Sequence, residues 1–362
     1  MMSCLRPCFG RRFKRIVYFM LVFLCMVFVF MRIGTLGRGT NQKDRTTPRD
    51  LLQHREHILI SSDNATTTIL PAKDKSVIYI QEHIDRFTKL LITNRDICSE
   101  KQIDLIIYIQ SHWINVERRR SLRETWIDNN LFTDVIIKHV FILGKPNNKP
   151  DQVKINNENL IHKDIIQGDF IESFQNITLK SIVALNWINK NCRQAKFVAK
   201  ADDDVFVDVF KVVNTLLPSV QNKTRNIVCS VKENNTSPIV RDTKSKWYIP
   251  EYIFPNRTHL PRFCIGYFVL LTSDLVPELA HASQGAQYIP VDDVYLFGFL
   301  LQSLNQVGYI DIARNMTIDE NFALDTFSKG KHSHLLAAHA NKDDYIQKMW
   351  TEVLFAQNKD KP

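Results

Sequence analysis

The sequence predicts an α/β domain whose core is a largely parallel sheet. Apolar runs of strand length alternate with helical patterns from about residue 96 to residue 304, which is typical of β-α-β units. About 265 residues are enough for one large core, and no internal repeat divides them. Three consecutive acids follow one predicted strand, and open α/β sheets bind their ligands beyond the carboxyl ends of strands. The strongest functional signal therefore lies where this fold class binds its ligands.

The predicted elements follow one another in a regular order. Strands are predicted over residues 103–109, 135–143, 196–207, 227–231 and 265–272. Helices are predicted over residues 117–126, 179–188 and 294–304. Upstream, an amphipathic helix is predicted by apolar residues three and four positions apart, namely Val77, Ile80, Ile84, Phe87 and Leu91.

The N-terminal segment combines a basic tail with an apolar run. Residues 1–15 contain five Lys or Arg and no acid, and residues 16–31 are almost entirely apolar or aromatic. The run is short for a membrane span of about 20 residues, but snorkelling of Arg15 and Arg32 would extend it through residue 36. A cleaved signal peptide ending near residues 34–37 is the alternative. The dense basic flank favours a retained anchor with a cytoplasmic tail.

The basic balance of the chain belongs to this N-terminal segment. Ten Lys or Arg and one acid, Asp44, lie within residues 1–49, so these residues carry the whole net charge of +9. The remainder is neutral and provides no basic surface for a nucleic acid. Residues 40–72 are rich in Thr, Asn, Arg and Asp without a lasting period, which predicts a stem.

Sequons and cysteines indicate a lumenal or extracellular domain. The N-x-S/T sequons lie beyond the apolar run, at Asn64, Asn176, Asn222, Asn234, Asn235, Asn256 and Asn315. Four cysteines on the same side could form two disulfides, Cys98, Cys192, Cys229 and Cys264. Sequence alone allows three pairings, and the absence of a C-x-x-C spacing argues against structural zinc.

Asp202, Asp203 and Asp204 interrupt an apolar run and predict a metal site. On an extended backbone Asp202 and Asp204 share a face and Asp203 points the other way. Two like charges this close require a cation, and oxygen ligands select a hard divalent ion such as Mg²⁺, Mn²⁺ or Ca²⁺. A helix–loop–helix calcium loop is excluded because Val207 stands where that loop needs Gly. A solvated acidic turn is the remaining alternative.

A group of arginines follows the first predicted strand. Arg119 and Arg123 are four residues apart on one helix face, and guanidinium groups bind phosphates in bidentate fashion. A diphosphate-facing role is one interpretation. A solvated basic face paired with Glu117 and Glu124 explains the same spacing.

Two further motifs carry candidate functional residues. Asp292 and Asp293 begin a predicted helix, where acids serve either as simple capping residues or as a carboxylate that takes a proton from a hydroxyl. Lys246-Trp247 and Tyr267 could stack on a sugar or a base, although buried core aromatics are commoner.

Ordered motifs from about residue 98 to residue 350 resemble one known family. They are Arg119-x-x-x-Arg123-x-Thr125-Trp126, Phe141-Ile142-Leu143-Gly144, Asp164-Ile165-Ile166-x-x-Asp169-Phe170, Asn176-x-Thr178-x-Lys180, Asp202-Asp203-Asp204, Lys246-Trp247, Cys264-x-Gly266 and Asp293-Val294-Tyr295-x-x-Gly298. The chain resembles β1,3-galactosyltransferase-type enzymes, a group that also contains β1,3-N-acetylglucosaminyltransferases.

The resemblance implies a GT-A (Rossmann-like) fold, a UDP-sugar donor, Mn²⁺ and inversion at the anomeric carbon. By position, Asp202 and Asp204 would bind the metal and Asp293 would be the general base for the acceptor hydroxyl. Donor contacts would come from Arg119, Arg123, Asp203, Lys246 and Trp247. The product would be a β1,3 linkage from galactose, N-acetylglucosamine or N-acetylgalactosamine to a glycan acceptor on a glycolipid or glycoprotein.

The resemblance also implies a type II protein of the Golgi membrane with a lumenal catalytic domain. Its parts would be a cytoplasmic tail (1–15), a transmembrane signal-anchor (16–36), a stem (37–75) and a catalytic domain (76–362), with a homodimer as one expected assembly. A glycoside hydrolase using two carboxylates and a non-catalytic lectin or chaperone of the same fold are the alternatives.

The sequence departs from the family pattern at three positions. Asp292 stands where Glu is more usual, Val269 where Tyr is usual, and Glu172 where Asp is usual. The last two bear on donor or acceptor preference and not on the type of reaction. His339 is a candidate third metal ligand, with a surface histidine as the alternative.

Overall fold

The computed structural model describes residues 89–342 and 344–358. Its strands are β1 Leu90–Ile92, β2 Ile103–Gln110, β3 Ile137–Lys145, β4 Ile165–Ile171, β5 Ala195–Asp202, β6 Val205–Val207, β7 Asn226–Lys232, β8 Phe263–Thr272, β9 Gly308–Asp311, β10 Met316–Thr317 and β11 Ala337–His339. One sheet has eight strands in the order β1-β4-β3-β2-β5-β8-β7-β9. A smaller sheet has the order β10-β11-β6.

Helices cover both faces of the large sheet. The regular α-helices are α1 Val116–Arg123, α2 Lys149–His162, α3 Ile177–Asn191, α5 Leu275–Ser283, α7 Glu320–Phe327 and α8 Tyr345–Asn358. Two others contain a π-helical segment. They are α4 (Val209–Lys211, Val212–Leu216 and Leu217–Val220) and α6 (Asp292–Val294, Tyr295–Leu300 and Leu301–Ser303).

The core consists of two apolar layers, one on each face of the large sheet. In β2, Leu105, Ile107 and Ile109 belong to the layer beneath α1, α2, α4, α7 and α8. Ile106 and Tyr108 belong to the layer beneath α3, α5 and α6. A strand that is buried on both faces has no polar side to present, which is why β2 is an unbroken apolar run from Leu105 to Ile109.

The α/β class predicted from the sequence is confirmed, but the sheet is mixed rather than largely parallel. Strands β4, β3, β2 and β5 are parallel. Strand β8 runs antiparallel to both of its neighbours, β5 and β7, and β1 runs antiparallel to β4. An apolar run has the same composition in either direction, so the sequence pattern did not indicate these reversals.

The predicted helices and four of the five predicted strands of the domain are present, with small shifts at their ends. The strand predicted over residues 196–207 is instead two strands, β5 and β6, which lie in different sheets. Helix α2 was missed because its only buried side chains are Ile155 and Glu158, so it carries no apolar stripe. The helix predicted to reach Leu91 is wrong at that residue, because Leu91 lies in β1. The rest of that prediction lies outside the described residues.

The predicted tail, anchor and stem also fall on residues that the structure does not describe. Within residues 89–342 and 344–358, no helix is both long enough and apolar enough to cross a membrane.

Two disulfides pair the four candidate cysteines. Cys98, beyond β1, bonds to Cys192 at the end of α3. Cys229 on β7 bonds to Cys264 on the neighbouring strand β8. The pairing left open by the sequence is therefore Cys98–Cys192 and Cys229–Cys264, and the second bond lies two residues before Gly266.

Strand β8 carries a bulge beside this second disulfide. Val228 pairs with Leu270, but Ser230 pairs with Ile265, so β8 contains extra residues at this point. Bulges of this kind re-aim side chains and backbone next to functional sites. The extra residues include Gly266, whose backbone lies against Asp293.

Candidate active site

Two parallel strands deliver polar residues to one edge of the sheet. Strand β2 ends at Gln110 and β5 ends at Asp202, and these two residues are paired in register. The chain then turns through Asp203 and Asp204 before β6. The carboxyl edge of parallel strands is where open α/β sheets bind ligands, so the triple Asp lies where the sequence predicted.

A buried lysine, Lys200, holds the acids of this edge together. Its Nζ lies 2.7 Å from the carbonyl oxygen of Gly266, 3.1 Å from Asp202, 3.2 Å from Asp292 and 3.6 Å from Asp293. Burial alone would lower the pKa of Lys200, but the three carboxylates raise it well above its ordinary value. The lysine therefore stays charged and links the end of β5 to the start of α6.

Asp293 is held by the bulge of β8. Its Oδ2 accepts a hydrogen bond of 2.8 Å from the backbone N–H of Gly266. A Cβ at position 266 would lie 1.7 Å from Oδ1 of Asp293, so the carboxylate occupies space that only glycine leaves free. Burial and the charge of Asp292 raise the pKa of Asp293 to about 7, while Lys200 opposes the shift. About a fifth of the side chain is exposed, so this carboxylate is open to a ligand.

Asp292 has a different environment from its neighbour. It is buried, and its Oδ2 accepts hydrogen bonds from Gln110 at 3.1 Å and Ser181 at 3.3 Å. The residue that caps α6 is Val291, and no side chain hydrogen-bonds to the start of this helix. The simple capping interpretation of Asp292 and Asp293 is therefore wrong, because both carboxylates point to Lys200 instead.

Asp202 pairs with Lys200 through one carboxylate oxygen. Its Oδ1 lies 3.1 Å from Nζ of Lys200. Burial raises the pKa of Asp202 to about 6, Lys200 opposes the shift, and Asp292 and Asp204 add to it. The Asp202 side chain is still 30% exposed, so it is open to a second cation as well as to Lys200.

Asp203 and Asp204 converge on one arginine, Arg118. Its Nη1 lies 3.3 Å from Oδ1 of Asp203 and 3.3 Å from Oδ2 of Asp204. Asp203 also accepts hydrogen bonds from Ser111 at 2.6 Å and Asn115 at 2.9 Å. The prediction that Asp203 points away from Asp204 is wrong, because β5 ends at Asp202 and the alternation of an extended strand stops there.

His339 lies beside the acids because of the small sheet. It pairs with Val205 across β11 and β6, and Ala340 donates a backbone hydrogen bond to the carbonyl of Asp204. Burial lowers the pKa of His339, and the charge of Asp204 opposes the shift. The imidazole packs edge-on against Tyr267, with ring centroids 4.6 Å apart. His339 is thus partly buried at the site and is not a surface histidine.

The residues around the triple Asp fit a divalent cation only in part. Asp202 and Asp204 are both partly exposed, and both are oxygen ligands of the kind Mn²⁺ and Mg²⁺ accept. Within the described ranges, however, no group of three or more His, Cys, Asp or Glu side chains is already arranged to hold a metal ion. A metal at this edge would share the Asp204 carboxylate with Arg118, which contacts one of its two oxygens.

Arg119 and Arg123 form a buried ionic network and not a solvated basic face. The guanidinium of Arg119 is fully buried and donates to both oxygens of Glu158, at 2.8 and 2.6 Å. It also donates to the Ser111 hydroxyl at 2.8 Å and to the His112 carbonyl at 2.7 Å. Arg119 therefore supports the loop after β2, and that loop supports Asp203.

Arg123 extends the network from Glu158 to Asp164. It donates to Glu158 at 2.8 Å and to both oxygens of Asp164, at 2.7 and 2.9 Å. Burial would raise the pKa of Asp164, but hydrogen bonds from His139 and Arg123 hold it well below its ordinary value. In this structure Arg119 and Arg123 act on the site through intervening groups, and Arg118 is the arginine of α1 that faces the acids directly.

Lys246 and Trp247 lie at an exposed rim of the protein. Trp247 is 42% exposed and meets Phe174 edge to face, with centroids 5.0 Å apart. The ammonium of Lys246 lies 4.7 Å from the Trp247 ring and 5.3 Å from the Phe174 ring. The charge of Lys246 also acts on His339, so this rim is near the acids. The core-aromatic interpretation holds for Tyr267, which is buried, but not for Trp247.

The sequons differ in their exposure. Asn222, Asn234, Asn235 and Asn256 are exposed. Asn176 and Asn315 are partly buried, and their side-chain amides donate to the backbone carbonyls of Ile171 and His334. Asn64 lies outside the described residues.

The sequence reasoning missed several site residues, of which Lys200 is the most important. Its signal was available, because a lysine two residues before the acids interrupts an otherwise apolar buried strand. Gln110 and Ser111, at the end of β2, had the same kind of signal, since polar residues end an apolar run there. Arg118 could not be told from its neighbours, because four arginines lie within six residues of α1.

The site is acidic and partly exposed, and it lies at the carboxyl edge of an α/β sheet, where proteins of this fold class bind their ligands. Residues 117–311, more than half of the chain, match the family model described as galactosyltransferase. The chain belongs to the galactosyltransferase family.

Two curated relatives illustrate the extent of the similarity. Beta-1,3-galactosyltransferase 1 of Homo sapiens is 33% identical over 217 residues, which cover 60% of this chain and 65% of the relative. Beta-1,3-galactosyltransferase 2 of Homo sapiens is 28% identical over 274 residues, covering 75% of this chain and 63% of the relative. The chain therefore spans just under two thirds of the length of these relatives.

Among solved structures, a galactosyltransferase in complex with donor and acceptor sugar analogs covers 68% of this chain and 95% of its own. Its identity is 11% and its TM-score is 0.34.

The arginine network yields a stability prediction. Glu158→Ala would leave Arg119 and Arg123 buried without their shared carboxylate. Breaking one side of a buried ion pair costs about 3–5 kcal/mol, so we expect that loss in the free energy of unfolding measured in urea. Glu117→Ala is the matched control, because it breaks the exposed pair with Arg120 on the same helix and should change the midpoint little. Equal midpoints for the two variants would contradict the role assigned to the network.

Proposed function

We propose that the protein is an inverting β1,3-glycosyltransferase with a GT-A (Rossmann-like) catalytic domain. It would transfer galactose, N-acetylglucosamine or N-acetylgalactosamine from a UDP-sugar to a hydroxyl of a glycan on a glycolipid or glycoprotein. The observation that supports this most is the pair of carboxylates joined by Lys200, namely Asp293 at the start of α6 and Asp202 at the end of β5. Membership of the galactosyltransferase family supports the same reaction class.

Asp293 is the proposed general base. An inverting transfer needs one base that takes the proton of the acceptor hydroxyl as the oxygen attacks the anomeric carbon. Asp293 is partly exposed, and its pKa of about 7 lies near the operating pH, where a general base works best. The Gly266 N–H and Lys200 fix the direction of the carboxylate. Asp292 is less suited to this role because it is buried and bonded to Gln110 and Ser181.

Asp202 and Asp204 are the proposed ligands of Mn²⁺, with His339 as a further candidate. The partial exposure of both carboxylates and the excess of acids at this edge support this assignment. When bound, such an ion supplies Lewis-acid stabilisation of the charge that develops on the departing diphosphate, which contributes several kcal/mol in metal-dependent enzymes. The protein's own part is to hold the two carboxylates at the end of β5 and in the turn that follows.

The remaining proposed donor contacts surround these acids. Asp203 is held by Ser111, Asn115 and Arg118, so it can orient the turn against a bound nucleotide. Arg119 and Arg123 contribute by supporting the loop after β2. Lys246 and Trp247 provide an exposed cation and ring at the rim, which suits a sugar or a base.

The cellular setting is part of the proposal. A short basic tail, an apolar run over residues 16–36 and a stem favour a type II anchor in the Golgi membrane, with the catalytic domain in the lumen. Two disulfides and exposed sequons suit an oxidising compartment. A homodimer is a further expectation. Neither the glycoside hydrolase nor the non-catalytic lectin is favoured by the family match.

Removal of the metal is the first test of the reaction. We expect the full-length chain with Mn²⁺ to release UDP from one member of a panel of UDP-sugars, faster when a sugar acceptor is present. A chelator should abolish release, and so should combined Asp202→Asn and Asp204→Asn substitutions, because both remove the ion from the diphosphate. Asp319→Asn, in an exposed helix cap, is the control and should retain activity. Release that survives the chelator would refute the metal assignment.

Two substitutions, Asp293→Asn and Gly266→Ala, test the assignment of the base, because the two residues are in contact. Asp293→Asn should lower kcat by about 10²- to 10⁴-fold, and UDP binding measured by calorimetry should stay near normal. Gly266→Ala should act in the same direction without changing residue 293, because its Cβ would displace the carboxylate and remove it from the Gly266 N–H. A folded Asp293→Asn variant that has lost UDP binding together with activity would contradict this role.

The raised pKa of Asp293 predicts a pH dependence. A base acts in its ionised form, and the fraction of ionised Asp293 increases with pH through about 7. We therefore expect kcat/KM to rise between pH 5 and pH 8, with a slope near tenfold per pH unit on the acid side. UDP binding over the same range separates this effect from the metal site. A rate that is flat across that range, with unchanged binding, would be inconsistent with Asp293 as the base.

A further inference from the structure

The four arginines of α1 have different environments, although they lie within six residues. Arg119 is buried and Arg123 nearly so, both against Glu158. Arg120 is exposed and pairs with Glu117 and Glu124 on its own helix. Arg118 is the one that reaches the acids after β5.

Arg118 is held more loosely than its buried neighbour. Its contacts with Asp203, Asp204 and the carbonyl of Asn341 are 3.3, 3.3 and 3.4 Å long. The charged contacts of Arg119 with Glu158 are 2.6 to 2.8 Å. The Arg118 side chain is 29% exposed, whereas that of Arg119 is fully buried. Long contacts and exposure let a guanidinium leave one anion for another at small cost.

The two acids that Arg118 contacts depend on it to different extents. Asp203 has hydrogen bonds from Ser111 and Asn115 as well. In the described part of the chain, the Asp204 carboxylate has Arg118 as its only ion-pair partner and accepts no side-chain hydrogen bond. Arg118 is therefore the countercharge of an acid that the proposed function assigns to the metal. A cation that approaches Asp204 meets a positive charge already in place.

We propose that Arg118 is a donor-binding residue that neutralises Asp204 in the free protein and turns to the diphosphate when the nucleotide binds. The inference rests on the proposed function, since it needs a nucleotide diphosphate at the triple Asp. The guanidinium competes with the bare divalent ion for Asp204, because two cations on one carboxylate repel each other. A bound diphosphate attracts both the divalent ion and the guanidinium, so the two cations then favour each other's binding. The planar guanidinium also matches phosphate oxygens in bidentate fashion. Metal binding and nucleotide binding then depend on each other through Arg118.

The test compares binding of Mn²⁺ alone with binding of UDP, in the full-length chain and without any turnover. Mn²⁺ binding is followed by the loss of the free-ion electron paramagnetic resonance signal, and UDP binding by calorimetry at saturating Mn²⁺. Arg118→Ala should lower the Kd for Mn²⁺ about tenfold, since a repelling charge has been removed. The same variant should raise the Kd for UDP about tenfold or more, because a charge-assisted contact has been lost.

Two further variants separate charge from geometry. Arg118→Lys keeps the positive charge but loses the planar guanidinium group. Its Kd for Mn²⁺ should therefore equal that of the unchanged protein, and its Kd for UDP should lie between those of the unchanged protein and of Arg118→Ala. Arg120→Ala removes an exposed arginine from the same helix without touching the acids and should leave both constants unchanged.

The outcomes distinguish this inference from the proposed function. If Arg118→Ala binds Mn²⁺ no more tightly than the unchanged protein, or binds UDP equally well, Arg118 is only a structural ion-pair partner and the inference fails. The proposed function would stand in that case, provided that the unchanged protein binds UDP with Mn²⁺. If the unchanged protein binds neither, the proposed function fails and the inference fails with it.

Discussion

The site depends on one interaction, the buried ammonium of Lys200 among three carboxylates and the Gly266 carbonyl. Asp202 ends a strand, while Asp292 and Asp293 begin a helix 90 residues further along the chain. Without a shared cation, these acids would repel each other in a poorly solvated place. Removing one partner from such a buried cluster leaves charges that nothing compensates. Lys200 therefore lets Asp202, a proposed metal ligand, and Asp293, the proposed base, lie side by side.

Charge is still not balanced around this lysine. Asp202, Asp203, Asp204, Asp292 and Asp293 face Lys200 and Arg118, so five acids share two permanent cations. Burial is the main cause of the raised pKa values of Asp202 and Asp293, and the neighbouring acids add to the shift. A divalent ion would remove most of the excess negative charge, which is a physical reason to expect one. The same excess would repel a bare diphosphate, so the proposed donor would bind more readily together with a metal ion or with the help of Arg118.

How much the sequence could predict depended on whether a feature is local. Strands β2 and β5 were evident as apolar runs, and the acids after β5 marked the edge that binds a ligand. The reversal of β8 and its bulge could not be predicted, because register depends on which strands become neighbours. For the same reason the sequence did not indicate the contact between Gly266 and Asp293, although both residues belong to the family motifs. The faces of Asp203 and Asp204 were predicted incorrectly, since β5 ends at Asp202, two residues before the last acid to which the alternation was applied.

Helix α1 carries both rigidly held arginines and one arginine, Arg118, that can respond to a ligand. Arg119 and Arg123 are fixed by Glu158 and Asp164 at short distances, so the loop carrying Ser111 has a firm support. Ser111 in turn fixes Asp203, the central acid of the three. Arg118, one residue from Arg119, has only long contacts and partial exposure. A ligand that binds at the acids can therefore displace Arg118 without disturbing the buried network, since the two sets of contacts share only the well-anchored Asp203.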